Sequence, residues 1–393
     1  MLILEILLGC ALIGWLGLAV LSFWSMSGAT LLRPGQVGEP LPRAPRVSII
    51  VPARNEESLV GAALESFLKL DYPDYEVILV DDDSTDRTGA IADEWARRPE
   101  SAGKLKVIHN HELPPGWRGK VHALYLAEQA ASGEWLLAMD SDVIFHPDIL
   151  RLAMARAWKE SAALVSLFPE LEFGTMAERI VLPGFVFLLA MVFPLRLINN
   201  PKSSRALAAG AFILMRRADF QALGGYEKLR GVVIEDLRTA EMFKRDGRRL
   251  HATLTRGLFR TRMYQGWREI WEGLGRSAFE GTGFSLVKVL AAVLVGNTLA
   301  VLPWVAAGVL AIRDVGFGLA LRDDVPLLLA LTICVLTTLV YLPYLIFLRI
   351  SPLFVFTMPA ASLFYSGVAI HSAWISVVGH GVRWKDRRYR PPA

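Results

Sequence analysis

Two aspartates one residue apart, Asp140 and Asp142, close the apolar run LLAMDSDVIF at residues 136–145. Carboxylates crowded at a strand end repel one another unless a cation or hydrogen-bond donors hold them. Taken alone the pair has two readings. It can be the ligand set of a divalent cation, or a solvated turn whose aspartate caps a helix ahead of His146 and Pro147. Two further polar clusters follow the same kind of run: Pro52-Ala53-Arg54-Asn55-Glu56 after RVSIIVP, and Asp81-Asp82-Asp83 after YEVILV. No GxGxxG loop follows the first strand and no GxxxxGK[ST] occurs, which disfavours a dinucleotide fold or a P-loop ATPase. Nucleotide phosphates would then need another counter-charge, and Mg2+ or Mn2+ on one or two carboxylates is the simplest. His109 and His111 in HNHE can bind a metal or stand as solvated loop residues.

These clusters need elements to position them. The strand patterns RVSIIVP, YEVILVDDDS, LKVIHN and EWLLAMDSD alternate with helical patterns at ESLVGAALESFLKL, DRTGAIADEWARR and Lys120–Ala131. Such alternation predicts an α/β domain with a mainly parallel sheet, whose ligands bind at the carboxyl ends of the strands. All three acidic or polar clusters fall at predicted strand ends.

The 393-residue chain is 53% hydrophobic, and the excess is concentrated. Residues 1–25 suit an N-terminal transmembrane helix, without the basic flank and cleavage site of a signal peptide. Only Glu5 lies near its start, whereas Arg33, Arg43 and Arg46 follow it, so the positive-inside rule predicts a cytoplasmic domain after it. Residues 26–45 read as a Pro-rich linker. Residues 46–280 read as the soluble domain and 286–379 as a C-terminal membrane region of two or three spans, followed by a basic tail at 380–393. Three apolar stretches there, 286–312, 326–348 and 353–378, would leave that tail outside, so either one is re-entrant, with Pro359 in the third a candidate break, or the tail violates the rule. The segment 180–198 is also apolar. Its two prolines and Arg196 interrupt a run already at the short limit for a span, so it is expected to be interfacial or re-entrant. The two cysteines lie in membrane-like stretches, which disfavours a disulfide or cysteine metal site. A net charge of +4 suits a membrane-facing protein and requires no nucleic acid.

The motifs VSIIVPARNEE, VILVDDDSTD, GWRGKVHAL, AMDSD, GGYEKLRGVVIEDLRTA and GVRWKDRRYR, in this order, resemble family 2 glycosyltransferases of the GT-A fold. Within that family the chain is most similar to membrane-bound bacterial enzymes of the hopene-associated and carotenoid type. The resemblance implies that Asp82 binds the base of a nucleotide-sugar, with Pro52 and Glu56 beside base and ribose. Asp140 would sit near ribose and metal, Asp142 on the cation, and Lys120 on the nucleotide or its phosphates. Asp236 matches the catalytic base, and Glu235 would orient it. Asp83 stands where many relatives carry glycine. The processive motif Q-x-x-R-W is not matched: RMYQGWREIWEG offers Gln265, Trp267, Arg268 and Trp271, which can line an acceptor or leaving-group site or anchor an interfacial helix.

The resemblance therefore implies an inverting, metal-dependent transfer from a nucleotide-sugar, a UDP-sugar above all, to a membrane lipid such as a hopanoid, carotenoid or sphingolipid, at the bacterial inner membrane. The rivals are a polyprenyl-phosphate sugar transferase, which needs no base, and a non-catalytic scaffold or transport partner.

Overall fold

The computed structural model describes residues 1–36, 41–317, 324–378, 382–384 and 387–389, so most of the basic tail at 380–393 lies outside the described residues. The chain forms two compact units, one of residues 28–172 and 193–261, the other of 1–27, 173–192 and 262–393.

The first unit is built on an eight-stranded sheet in the order β1-β10-β7-β9-β5-β2-β3-β4. These strands are β1 (Leu31–Leu32), β2 (Val47–Ala53), β3 (Tyr75–Asp82), β4 (Leu105–Asn110), β5 (Trp135–Ala138), β7 (Leu164–Phe168), β9 (Ile213–Arg216) and β10 (Leu250–Thr255). All pairings are parallel except those of β9, which runs antiparallel to both neighbours. Every residue of β2 is buried, as expected where both faces of a parallel sheet are covered. Ile49, Val51, Val77 and Leu79 point to one core, Ile50, Ile78 and Val80 to the other. The helices are α2 (Val60–Leu68), α3 (Thr88–Ala96), α4 (Gly119–Ala130), α5 (Ile149–Lys159), α7 (Leu195–Asn199), α8 (Arg217–Ala222) and α9 (Glu235–Arg245). A second sheet joins β6 (Ile144–Phe145), β11 (Phe259–Thr261) and β8 (Glu170–Leu171).

Two expected boundaries move. Residues 26–45 are not a plain linker: β1 pairs with β10, Leu31 opposite Leu254, and the Thr253 hydroxyl donates to the Thr30 carbonyl at 2.9 Å. The expected soluble domain of 46–280 also loses residues 173–192 and 262–280, which pack with the terminal helices.

The second unit holds α1 (Leu2–Met26), α6 (Met176–Val192), α10 (Gly266–Gly281), α11 (Leu286–Ala300), α12 (Leu302–Phe317), α13 (Val325–Phe347) and α14 (Met358–Val377). Leu8, Trp15, Phe187 and Tyr341 form its core, while Ile13, Phe23, Val335 and Leu339 point outward, the all-round apolar character of helices in lipid. Among the described residues three helical stretches, 2–26, 325–347 and 352–377, are long and apolar enough to cross a membrane.

The stretch 286–312 is not one helix. It divides at Val301 into α11 and α12, of 15 and 16 residues, each about 24 Å long or less against a bilayer core of about 30 Å. Pro303 explains the break: it has no N–H to donate to the Leu299 carbonyl four residues back. The Trp15 indole donates to that carbonyl instead, at 2.9 Å. Pro359, the expected break, instead occupies the first turn of α14, where a missing N–H is harmless. The segment 180–198 is divided as well. Its first part is in α6, and Pro194 opens the separate α7 in the sheet-bearing unit.

Candidate active site at the carboxyl ends of the parallel strands

Three strand ends meet in the sheet-bearing unit. Beyond β3, Asp82 is buried and accepts a hydrogen bond from Asn110 Nδ2 at 2.8 Å. Asp81 is occupied differently. Its carboxylate accepts the Ser84 N–H at 3.3 Å and lies 3.3 Å from His109 Nδ1, whose Nε2 lies 3.1 Å from Asp93. His109 is thus tied to two acidic side chains, neither a ligand in a three-residue metal cluster nor a plain solvated loop residue. Asp83 has φ +57°, a left-handed conformation natural to glycine and tolerated by aspartate, which accounts for its unusual identity there. Arg54 from the end of β2 donates to the Asp83 carbonyl at 2.8 Å and also to that of Asp82, binding the two strand ends together. The Glu56 N–H donates to Thr88 Oγ1 at 2.7 Å, and Pro52 is the buried penultimate residue of β2.

Asp140 and Asp142 follow β5, which ends at Ala138, earlier than its apolar run suggests. Lys120 stands in the first turn of α4. Its Nζ lies 2.6 Å from Asp140 Oδ1 and 2.5 Å from Glu235 Oε1. Glu235 and Asp236 begin α9, where the helix dipole favours carboxylates. The Gly210 N–H donates to Asp236 Oδ2 at 3.1 Å. A Cβ on Gly210 would stand 3.3 Å from Asp236 Oδ2, 3.4 Å from Lys120 Nζ and 3.6 Å from Asp140 Oδ2. One bare backbone position therefore faces all three charged groups. The expectation that Lys120 meets the nucleotide gains a second aspect here, since it already joins Asp140 to Glu235.

The charges reshape one another. Burial, then Glu235, push Asp236 up to about 7, against the lowering pull of Lys120. Burial, then Asp140 and Glu56, push Asp142 up to about 6. Burial disfavours the Lys120 cation, yet Asp140, Glu235 and Asp236 outweigh it and hold it well above its ordinary value. Among the described residues no three acidic, histidine or cysteine side chains form a metal cage. Asp142, with the charge of Asp140 beside it, is instead one of two carboxylates, of which Asp140 is already paired with Lys120. So small an oxygen set fits a hard divalent cation that completes its shell with phosphate oxygens and water.

Gln265, Trp267, Arg268 and Trp271 lie in the helical unit, at the start of α10. The Gln265 N–H donates to Glu269 Oε2 at 2.7 Å, and Arg268 pairs with Glu272 at 2.9 Å. Trp267 is half exposed and packs on Phe364; the Trp271 indole donates to His371 Nδ1 at 3.0 Å. Gly210 and Asn110 escaped the sequence reading as site components, and Arg54 entered it only as a member of a polar cluster with no role of its own. Only the RNEE run around Arg54 carried a signal, for a glycine or asparagine next to an apolar strand has no pattern of its own.

Residues 48–224 match the family described as Glycosyl transferase family 2. The chain is 26% identical over 354 residues, 87% of its length and 88% of the other's, to the 4,4'-diaponeurosporenoate glycosyltransferase of Staphylococcus aureus (strain MRSA252). The same identity and coverage hold for the protein of that name in strain USA300. Among solved structures it is similar to the mannosyltransferase PcManGT from Pyrobaculum calidifontis in complex with GDP-Man and Mn2+. The TM-score is 0.57 at 20% identity, covering 94% of this chain and 99% of that one. The shared property at that identity is the fold, and it is the GT-A fold.

Proposed function

We propose that this chain, in which residues 48–224 are a family 2 glycosyltransferase domain, transfers one sugar with inversion from a nucleotide-sugar to an isoprenoid-type membrane lipid. The observation that carries the reading is the meeting of Asp236 with Lys120 and Asp140 around Gly210. A displacement at a sugar carbon needs a group to take the acceptor proton and positive charge to meet the departing diphosphate. Asp236, with its raised proton affinity, takes the proton at Oδ1 or Oδ2 from an acceptor hydroxyl. The Gly210 N–H orients that carboxylate, and Glu235 and Lys120 tune it.

Asp82, with Pro52 and Glu56, holds the base and ribose of the donor, a UDP-sugar in our reading. Asp140 lies beside the ribose, and Asp142 holds Mg2+ or Mn2+. When bound, the cation supplies counter-charge to the diphosphate. Lys120 adds a second cation on the same side. Gln265, Trp267, Arg268 and Trp271 hold the acceptor. Support for the lipid class of the acceptor, though not for a hydroxyl as its acceptor group, comes from the Staphylococcus relatives, named for a carotenoid acid and matched over most of their length, and from the three span-length helices.

The topology of the reading is consistent. With α1, α13 and α14 as the three crossings, the reading puts the catalytic domain on the cytoplasmic side of a bacterial inner membrane, in keeping with the positive-inside rule.

The test uses membranes carrying wild type or Asp236→Asn with labelled UDP- and GDP-sugars, Mn2+ and bacterial lipid extract. Label should enter the organic phase with wild type and be lost in the variant and on chelation. Transfer that survives Asp236→Asn would point to a phosphate or carboxylate acceptor needing no base. No donor turnover by wild type would point to a scaffold or transport partner.

A further inference from the structure

The helical unit contains an acidic side chain whose surroundings exceed what its own helix needs. Glu178, in the first turn of α6, is fully buried. Its Oε2 accepts the Gly174 N–H at 2.6 Å and Arg262 Nε at 3.1 Å. Its Oε1 accepts Thr175 Oγ1 at 2.7 Å, Arg262 Nη2 at 2.9 Å and the Gly266 N–H at 3.0 Å. Thr175 and Gly174 belong to the start of α6, and capping there is ordinary. Arg262 and Gly266 do not: they lead into and begin α10, 84 and 88 residues further along the chain.

The first N–H groups of a helix lack partners inside it and call for a cap. Gln265, at the cap position of α10, makes no side-chain cap bond, and Glu178 takes the Gly266 N–H in its place. The neighbourhood is sterically closed as well. A side chain on Gly174 would run into the Arg262 guanidinium, and Gly266 has φ +76°. The two arms also enter this unit from adjacent strands. β8 and β11 pair in parallel, Arg260 opposite Glu170 and Thr261 opposite Leu171, just before residues 173 and 262.

We infer that Glu178 and Arg262 form a positioning pair for the acceptor, fixing the first turn of α10 and with it Gln265, Trp267 and Arg268. The inference rests on the acceptor role proposed above for that turn. All three side chains are exposed on it, Trp267 against Phe364 and Arg268 beside Glu272, so the placing of the turn decides where they stand. A misplacement of about 1 Å in a positioning group can cost roughly a hundredfold in rate.

The test uses the full chain in nanodiscs, with two readouts for each variant. One is release of nucleoside diphosphate from the sugar donor with water as acceptor; the other is transfer to lipid extract. Glu178→Gln should raise the KM for lipid at least about tenfold while leaving the donor KM and the water reaction unchanged. Arg262→Lys, which keeps the charge, should fall between it and wild type. Ser372→Ala is the control for general loosening of α10. It removes the bonds of the Ser372 hydroxyl to Gly275 and Phe279 and should leave the lipid KM alone.

Equal effects of Glu178→Gln and Ser372→Ala, parallel loss of both reactions, or an unchanged lipid KM would each overturn the inference. If Glu178→Gln fails to accumulate, Arg262→Lys decides by the same criteria. Wild type that releases no nucleotide from any sugar donor removes the glycosyltransferase reading itself, and the positioning role with it.

Discussion

Asp236 in the sheet-bearing unit and Glu178 in the helical unit are both carboxylates at the start of a helix, and their surroundings are opposite. Asp236 is burdened by burial and by Glu235, with Lys120 only partly offsetting them, and holds its proton up to about pH 7. Glu178 is buried too, but Arg262, Thr175 and the N–H groups of Gly174 and Gly266 overcome burial and keep it ionised far below the usual range. A carboxylate crowded by its own kind is poised to take a proton. One surrounded by donors is inert and holds structure. On the proposed function, the same residue chemistry serves reaction in one unit and architecture in the other.

The largest effect that would break this contrast is at Asp236 itself. Asp236→Asn should lower transfer to a hydroxyl acceptor about 10²–10⁴-fold, the usual worth of a positioned base. Transfer by purified variant within threefold of wild type would remove the role.

The pH profile sharpens the same point. The base works ionised, so transfer should rise through about pH 7 and be lost below it. The sign for stability is the reverse. The folded chain holds this proton more tightly than the unfolded chain, so the carboxyl's contribution is complete below the unfolded value near 4 and is lost as pH rises through about 7. Asp236→Asn should therefore be at least as heat-stable as wild type at pH 8, checked by scanning fluorimetry. A clear loss of Tm there would contradict a strained, crowded carboxylate.

A smaller loss is expected at Gly210. Alanine would bring a methyl within 3.3–3.6 Å of Asp236, Lys120 and Asp140. Displacing these groups should reduce kcat about tenfold to a hundredfold with the fold intact, measured by steady-state transfer and circular dichroism.

The smallest effect belongs to the helical unit. Trp15→Phe removes the donor to the Leu299 carbonyl and should lower stability in detergent by about 1 kcal/mol without altering donor turnover. A change in turnover would show that the two regions are less separate in their roles than their carboxylates suggest.

Local patterns made a large part of this legible. β4 was read to the residue, because Leu105, Val107 and Ile108 in a segment of strand length between turns need only their neighbours to be recognised. The acidic strand ends were legible for the same reason. Missed were β9, antiparallel within a parallel sheet, and β1 inside a proline-rich segment, since a strand of two residues has no period.

Residue types and their spacing were enough to establish an alternating α/β domain, apolar helices at both ends, and aspartates at the strand ends, for each of these follows from a period of two or 3.6 and from chain polarity. Contacts between distant segments were another matter. The tertiary structure brought Glu235 and Asp236 to Lys120, set Gly210 against Asp236, Lys120 and Asp140, and gave α10 its cap from Glu178. It also turned Pro303 into a break between two helices rather than a bend in one span. Each joins groups tens to hundreds of residues apart. Burial, desolvation and hydrogen-bond competition act on neighbours in space, and no local pattern encodes which neighbours those will be.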